Sequence, residues 1–455
     1  MSKSDLLQGP VAPVLIKTSV PTTVGAIAMI LYYLADTWFV SLLGTQELAA
    51  LGFTFPATIL FTYLGVGLSI GTSAMVARAA GARDENKTCE MCFASIVFAI
   101  MTGLLIIGPA IVLINPMFSL MGADPVTLNL IRAYLIVMFI GVPFQLVQFS
   151  GTAVIRALGN AQLHGRLMMI SAALNALLDP LLIFGWGPIP AFGISGAAIA
   201  TVITWGIANV FILYYLLVQE KLLKLLWPGF GKLLKDWQML LKISLPAALA
   251  NMITPVATGI ITATLAKYGA ETVAAFGVVS RLEALILIVV LGMSMSLPPF
   301  ISQNFGADAL DRVREALRLS FRFVLVLQIF LAVIVAMSAT FIAGIFTDEA
   351  GVQEVIITIL YILPVSYAFQ GIVVLTASSF NALHVPGKAL STSLLRFFVF
   401  YVPLALIGAY LADIKGLFIG AAIGNFLAGI TVCWWILNYT KSLQQPQTDT
   451  DTAIV

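Results

Sequence analysis

Two carboxylates stand where carboxylates are costly. Asp36 lies inside the apolar run Leu31-Tyr-Tyr-Leu-Ala-Asp-Thr37, and Asp179 inside Asn175-Ala-Leu-Leu-Asp-Pro180. At the centre of a membrane helix an aspartate costs roughly 2.5–3.5 kcal/mol on an insertion scale, so a chain that keeps one there has a use for it. Ser171, Asn175 and Asp179 recur every four residues and so share one helix face, and Tyr32 sits one turn before Asp36. Gln145 and Gln148, and Thr201 and Thr204, add further polar groups three residues apart. Two acids with amide and hydroxyl neighbours describe a pocket that takes up and releases a proton. The oxygens of Asp36, Asn175, Asp179 and Thr201 suit a sodium ion as well.

These groups need membrane helices to hold them. Of the 455 residues 60% are hydrophobic and only 10% charged, and the formal charge is +2. A soluble domain is nearer a quarter charged, which excludes a water-soluble enzyme, a disordered chain and a nucleic-acid binder. Apolar runs recur at 17–43, 48–78, 91–114, 127–155, 166–184, 195–218, 243–267, 273–302, 316–345, 353–379, 389–411 and 416–439. Each is long enough to span the bilayer as a helix, the form that leaves no backbone group unpaired in lipid. The reading is an all-α polytopic membrane protein of twelve spans. Asp36 and Asp179 then lie about eight and five residues from the outer ends of their spans, at similar depth.

Basic residues set the orientation. The segments 1–17, 78–90, 156–166, 219–242, 303–322, 384–396 and 440–455 hold 19 of the 23 Lys and Arg, which predicts that both termini are cytoplasmic.

The chain also repeats itself. A shift of 225 residues sets Ser19-Val-Pro21 on Ser244-Leu-Pro246, Gly44 on Gly269, Ala49-Ala-Leu-Gly52 on Ala274-Ala-Phe-Gly277, Gly67 on Gly292 and Gly81-Ala82 on Gly306-Ala307. With small loop adjustments Asn160-Ala161 meets Asn381-Ala382, and Gly196-Ala-Ala-Ile199 meets Gly420-Ala-Ala-Ile423. Six spans per half keep both halves in one orientation, related by a pseudo-two-fold axis along the membrane normal. The expected parts are an amino-terminal lobe (1–218), a cytoplasmic linker (219–242), a carboxyl-terminal lobe (243–440) and a cytoplasmic tail (441–455). Asp36 aligns with Ile261, and Asp179 with Val402 when Pro180 is set on Pro403. The acids therefore belong to one lobe, and packing of the repeat does not require them.

Two such bundles around a cleft make a transporter that rocks between two openings. No Gly-x-x-x-x-Gly-Lys-Ser/Thr loop is present, so an ion gradient is the expected energy source. Pro21 removes a helix hydrogen bond about four turns from Asp36 and is a hinge candidate. Arg281 and Glu283 are expected to form a structural ion pair or to line the cleft. Cys89-Glu-Met-Cys92 has metal-like spacing without a second ligand pair and reads as ordinary buried thiols. His164 and His384 fall in loops and are expected to face headgroups or solvent.

The order of these motifs over residues 15–440 resembles the multidrug and toxic compound extrusion (MATE) transporters. The resemblance is carried by Ser19-Val-Pro21, Gly44…Ala49-Ala-Leu-Gly52, Gly81-Ala82 and the set Asp36, Asn175, Asp179. It is nearest the DinF-like branch, where the acids of the amino lobe are the coupling residues. The branch with essential acids in the seventh and tenth spans fits less well, because 243–267 holds no acid. The resemblance implies a bacterial or archaeal inner-membrane antiporter without cofactor or obligate protein partner. It would export organic cations and amphiphilic drugs, and so confer drug resistance, in exchange for protons or, alternatively, sodium.

Other functions with similar spans fit less well. A lipid-linked oligosaccharide flippase calls for more buried Arg and Lys than the single Arg281 deep in a span. A major-facilitator exporter calls for a Gly…Asp…Gly-Arg-Arg loop that Gly81-Ala-Arg-Asp-Glu-Asn-Lys87 does not match. A membrane enzyme calls for a catalytic constellation, and none is apparent.

Overall fold

The computed structural model describes residues 6–223 and 229–443. The first half runs α1 (Val11–Ser41), α2 (Thr45–Gly81), α3 (Glu85–Leu120), α4 (Pro125–Ala157), α5 (Ala161–Ile183) and α6 (Ile194–Tyr214). The second runs α7 (Phe230–Leu265), α8 (Ala270–Ile286), α9 (Ile288–Gly306), α10 (Leu310–Met337), α11 (Ala339–Phe346), α12 (Ala350–Ile362), α13 (Tyr367–Ala382), α14 (Pro386–Leu394) and α15 (Val402–Ser442). Short polar residues start several helices by accepting orphan N–H groups. Asp84 accepts from Lys87 N, Asp124 from Val126 N and Thr127 N, and Asn160 from Leu163 N.

Ten helical stretches among the described residues are long and apolar enough to cross a membrane, and the pair α8 and α9, bent by 45°, makes an eleventh. The stretch Pro386–Ser442 holds two crossings. Ala412 and Asp413 leave helical geometry, and the chain folds back there, so that Gly408 abuts Gly416, Gly420 abuts Leu404 and Gly424 abuts Tyr401. Twelve crossings result, six in each half.

The repeat survives as backbone geometry. Gly44 and Gly269, which open α2 and α8, both take positive φ (148° and 106°), a region that favours glycine. Arg83 and Asp308, also 225 apart, both turn the chain at φ 56°. The halves meet through matched contacts. A Cβ on Gly67 would come within 2.7 Å of Ala248 Cβ, and one on Gly292 within 2.7 Å of Thr23 Cα, the residue 225 before Ala248. Gly81 abuts Gln303, and Gly306 abuts Arg78, another matched pair. Each contact implies its mate, as a two-fold requires.

These contacts cluster where α2 ends and α3 begins, here called the basic end. Gln303 Nε2 donates to Ala157 O (2.5 Å), Arg78 lies 4.9 Å over the Phe305 ring, and His384 Nε2 lies 3.1 Å from Ala74 O. Asn304 and Arg312 donate to the carbonyls of Leu6 and Gly9, fixing the start of the described chain to the second half. The halves are thus pinned together at the basic end.

The stretch expected as a linker is largely helical where it is described. Residues 224–228, including Trp227 and Pro228, lie outside the described residues, as does 444–455 of the expected tail. From Phe230 onward the chain is already helical, and this start of α7 docks on α3. Lys87 bridges Glu90 and Asp236, Lys232 pairs with Glu90 at 2.7 Å, and Trp237 Nε1 donates to Ala94 O. Burial and then the neighbouring Glu90 push Asp236 above the ordinary carboxylate range. Leu233, Trp237 and Leu240 recur at helical spacing and give this segment an apolar face, a pattern that the count of its five lysines (221–242) obscured.

Candidate functional site

The amino-lobe acids converge. Asp36 on α1 and Asp179 on α5 are both buried (8% and 0% exposed) and lie within electrostatic reach of each other. Between them run Tyr32 Oη to Thr201 Oγ1 at 2.9 Å and Asn175 Nδ2 to Thr201 Oγ1 at 3.4 Å. One hydroxyl on α6 therefore joins α1 to α5. Asp36 Oδ1, both Asp179 carboxyl oxygens, Asn175 Oδ1 and Thr204 Oγ1 are buried without a protein hydrogen-bond partner. Buried polar atoms are almost always satisfied, so a cluster of unsatisfied oxygens marks a place where something else binds.

Beside the acids lies a cavity of about 400 Å³, lined by Tyr32, Asp36, Thr54, Thr58, Gln145 and Thr201 among others. A smaller one of about 110 Å³ is lined by Gln148, Ser171 and Thr204, together with Arg156 and His164. Of the nine amino-lobe residues expected from the sequence, seven line these cavities, Asn175 donates to the wall residue Thr201, and Asp179 is buried within electrostatic reach of Asp36. Aromatic rings complete the walls: Tyr33, Phe61, Tyr134, Phe149 and Trp205. Sequence reading passed over Thr54, Thr58 and Thr62, whose four-residue spacing on α2 was a legible signal.

Pro21 sits at a boundary within α1. Before it, Val11 and Leu15 pack in the core of the second half, and Ser19 Oγ bonds Ser296 Oγ at 2.8 Å. At and beyond it, Pro21 and Gly25 meet α5 at Gly165 and Met168. The helix runs unbroken through this point.

Of the two alternatives for Arg281 and Glu283 the ion pair does not form, and the two histidines expected in solvent are buried or half-buried. Arg281 is exposed and does not pair with Glu283. Glu283 instead accepts from Gln370 Nε2 at 2.6 Å and lies within electrostatic reach of buried Arg396. Arg396 donates to Asn425, the repeat mate of Thr201, and stacks on the Phe397 ring at 4.4 Å. It is carried on the π-helical turn Leu395–Tyr401, which absorbs the residues by which the repeat shift grows from 221 at Asn160 and Asn381 to 223 at Pro180 and Pro403. Replacing Glu283 by leucine should leave Gln370 Nε2 without its acceptor and cost roughly 1–3 kcal/mol. A lowered thermal midpoint of the purified protein checks this, and an unchanged midpoint contradicts it.

The histidines are not solvated either. His164 is 2% exposed beside Arg156, and His384 is half-buried in a tight turn under α2. Burial, with Arg78 nearby, pulls the His384 imidazole down to about 4, so the ring is neutral at physiological pH. His164 lies in the first turn of α5 and His384 in the turn before α14, and each ring nitrogen meets a group on a neighbouring helix, which loop composition does not reveal. Cys89 and Cys92 are buried free thiols.

Comparison with known proteins agrees with the fold and its repeat. The MatE family model matches twice, over residues 21–181 and 246–407, with starts again 225 apart. A protein of Shewanella oneidensis named FAD transporter is 36% identical over 433 residues, 95% of both chains. The multidrug export protein MepA of Staphylococcus aureus is 26% identical over 375 residues, 80% of both. Among solved structures, the Vibrio cholerae MATE transporter VcmN in its bent form aligns with a TM-score of 0.90 at 32% identity, covering 95% of this chain and 97% of that one. A Pyrococcus furiosus transporter of the MOP superfamily aligns with a TM-score of 0.89 at 26% identity, covering 98% and 99%.

Proposed function

Because the chain belongs to the MatE family of membrane transporters, we propose that it exports amphiphilic organic molecules in exchange for inward protons, with Asp36 and Asp179 as the exchanging pair. The observation that carries this reading is the cluster of unsatisfied buried oxygens on Asp36, Asp179 and Asn175 beside an aromatic cavity. Two carboxyls in one buried site cannot both be charged cheaply, so one holds a proton over part of the physiological range. With the basic end cytoplasmic, the pinned contacts there leave the cavity open outward. A proton from outside neutralises the pair, a cationic cargo loses its counter-charge, and it departs. Return of the proton to the cytoplasm resets the site.

Asp36 and the carboxyl-half anchor of α1 lie on opposite sides of Pro21, so a charge change at Asp36 can be felt as bending there. Exchange of one proton for one monovalent cation moves no net charge and draws on the pH difference alone, about 1.4 kcal/mol per unit. A neutral cargo also draws on the membrane potential, about 2.3 kcal/mol per 100 mV.

The relative named FAD transporter makes FAD a cargo to test beside cationic dyes. Proteoliposomes under separate pH and sodium gradients test the coupling ion: efflux follows the pH gradient, and efflux following sodium alone assigns the same oxygens to sodium instead. Replacing Asp179 by asparagine removes one of the two like charges and shifts the pH of half-maximal efflux by about a unit or more. An unmoved profile makes Asp179 structural.

A further inference from the structure

The amino-lobe site holds a charge that proton exchange does not use. Arg156 ends α4, is 7% exposed and lines the smaller cavity. Its Nη2 donates to Ser69 Oγ at 2.7 Å and Nη1 lies 3.3 Å from His164 Nε2, while Nε and His164 Nδ1 are buried without partners. No carboxylate pairs with this guanidinium among the described residues. A buried guanidinium without a counter-charge is costly, and the repeat does not require it, since its mate in the Asn160 and Asn381 register is Ala377. Unlike Arg396, which has Glu283, it waits for an anion.

We propose that Arg156, seated beside His164, binds the phosphate of a phosphorylated aromatic cargo, while the ring system occupies the larger cavity. This deepens the exporter reading above and rests on it. A planar guanidinium with a free Nε edge presents the fork that phosphate oxygens accept from. The two cavities share Tyr32, Tyr33, Gln145 and Trp205, so one molecule can reach from Arg156 past these rings toward Asp36. Phosphate thus lies at one end and the proton-exchanging acids at the other. Flat rings between aromatic walls supply the apolar contact.

The test is equilibrium binding to the full-length protein in nanodiscs, with FAD and riboflavin as probes that differ in their phosphates. FAD binds at least tenfold more tightly than riboflavin. Arg156→Gln weakens FAD about 30-fold and leaves riboflavin unchanged, and Arg156→Lys falls between. Pyrophosphate displaces FAD from the unsubstituted protein and not riboflavin, a measurement that needs no variant to fold. Equal weakening of both flavins, FAD binding that survives Arg156→Gln, or failure of pyrophosphate to compete overturns the proposal. Replacing phosphatidylcholine by phosphatidylglycerol leaves FAD affinity unchanged; competition by the anionic lipid would assign the site to a headgroup and overturn it too. No gradient enters these assays, so their failure is separate from failure of proton coupling.

Discussion

Replacing Asp36 by asparagine is expected to abolish gradient-driven efflux while the protein stays at least as stable. Asparagine keeps the shape and can donate and accept hydrogen bonds, but it cannot exchange a proton. Asp36 Oδ1 has no protein partner, so the substitution breaks no ion pair and removes the cost of a buried charge. Dye efflux from proteoliposomes under an inward proton gradient should fall at least about a hundredfold, equivalent to about 2.7 kcal/mol. The thermal midpoint should hold or rise. Asp179→Asn should be milder, because Asp36 would still titrate beside the larger cavity. Full efflux from the Asp36 variant would take that residue out of the mechanism, and a collapsed midpoint would make it a packing residue.

A second large effect should come from an added side chain far from the acids. Gly81 lies so close to the second half that an added Cβ would sit 2.6 Å from Gln303 Cα and overlap its carbonyl. Backbone cannot step aside as a flexible side chain can, and overpacking of this kind costs about 1–3 kcal/mol. That strain exists only when the halves touch at the basic end. Gly81→Val should therefore bias the equilibrium away from the closed basic end, by up to about 150-fold for 3 kcal/mol. Spin labels at the exposed helix starts Asp84 and Asp311 should report a longer distance, and turnover should fall by about an order of magnitude. Gly306→Val, at the matched contact with Arg78, should do the same. Gly52→Ala is the control, because nothing lies within 4 Å of the Cβ it would add. Unchanged distances in both interface variants would mean that these contacts do not gate the basic end.

What the sequence revealed follows from what its signals measure. Asp36 and Asp179 stood out because charge is rare within apolar runs, and Asn175 because helical spacing ties it to Asp179. The meeting of Tyr32 and Asn175 at Thr201 was not legible, because spacing within one helix does not say which neighbour it faces. The lobe relationship was legible because small residues at close helix crossings, such as Gly67 and Gly292, cannot drift without clashing. Arg156, His164 and Arg396 stayed hidden for the opposite reason. A basic residue at the end of an apolar run is ordinarily solvated, and its burial depends on how neighbouring helices tilt over it. The expected Arg281–Glu283 pair fails for a related cause. Residues 281 and 283 are two apart and point to different helix faces, so Glu283 is answered from α13 and the π-helical turn instead.

At the centre of the account is a carboxyl pair that trades protons for cargo, and proton release on binding measures this directly. Tetraphenylphosphonium added to the purified protein in weakly buffered solution should release close to one proton per cation bound. Asp36→Asn should reduce that number, and Asp36→Asn with Asp179→Asn should bring it to zero. Undiminished release from the doubly substituted protein would contradict the account, because the exchanged proton would then reside elsewhere.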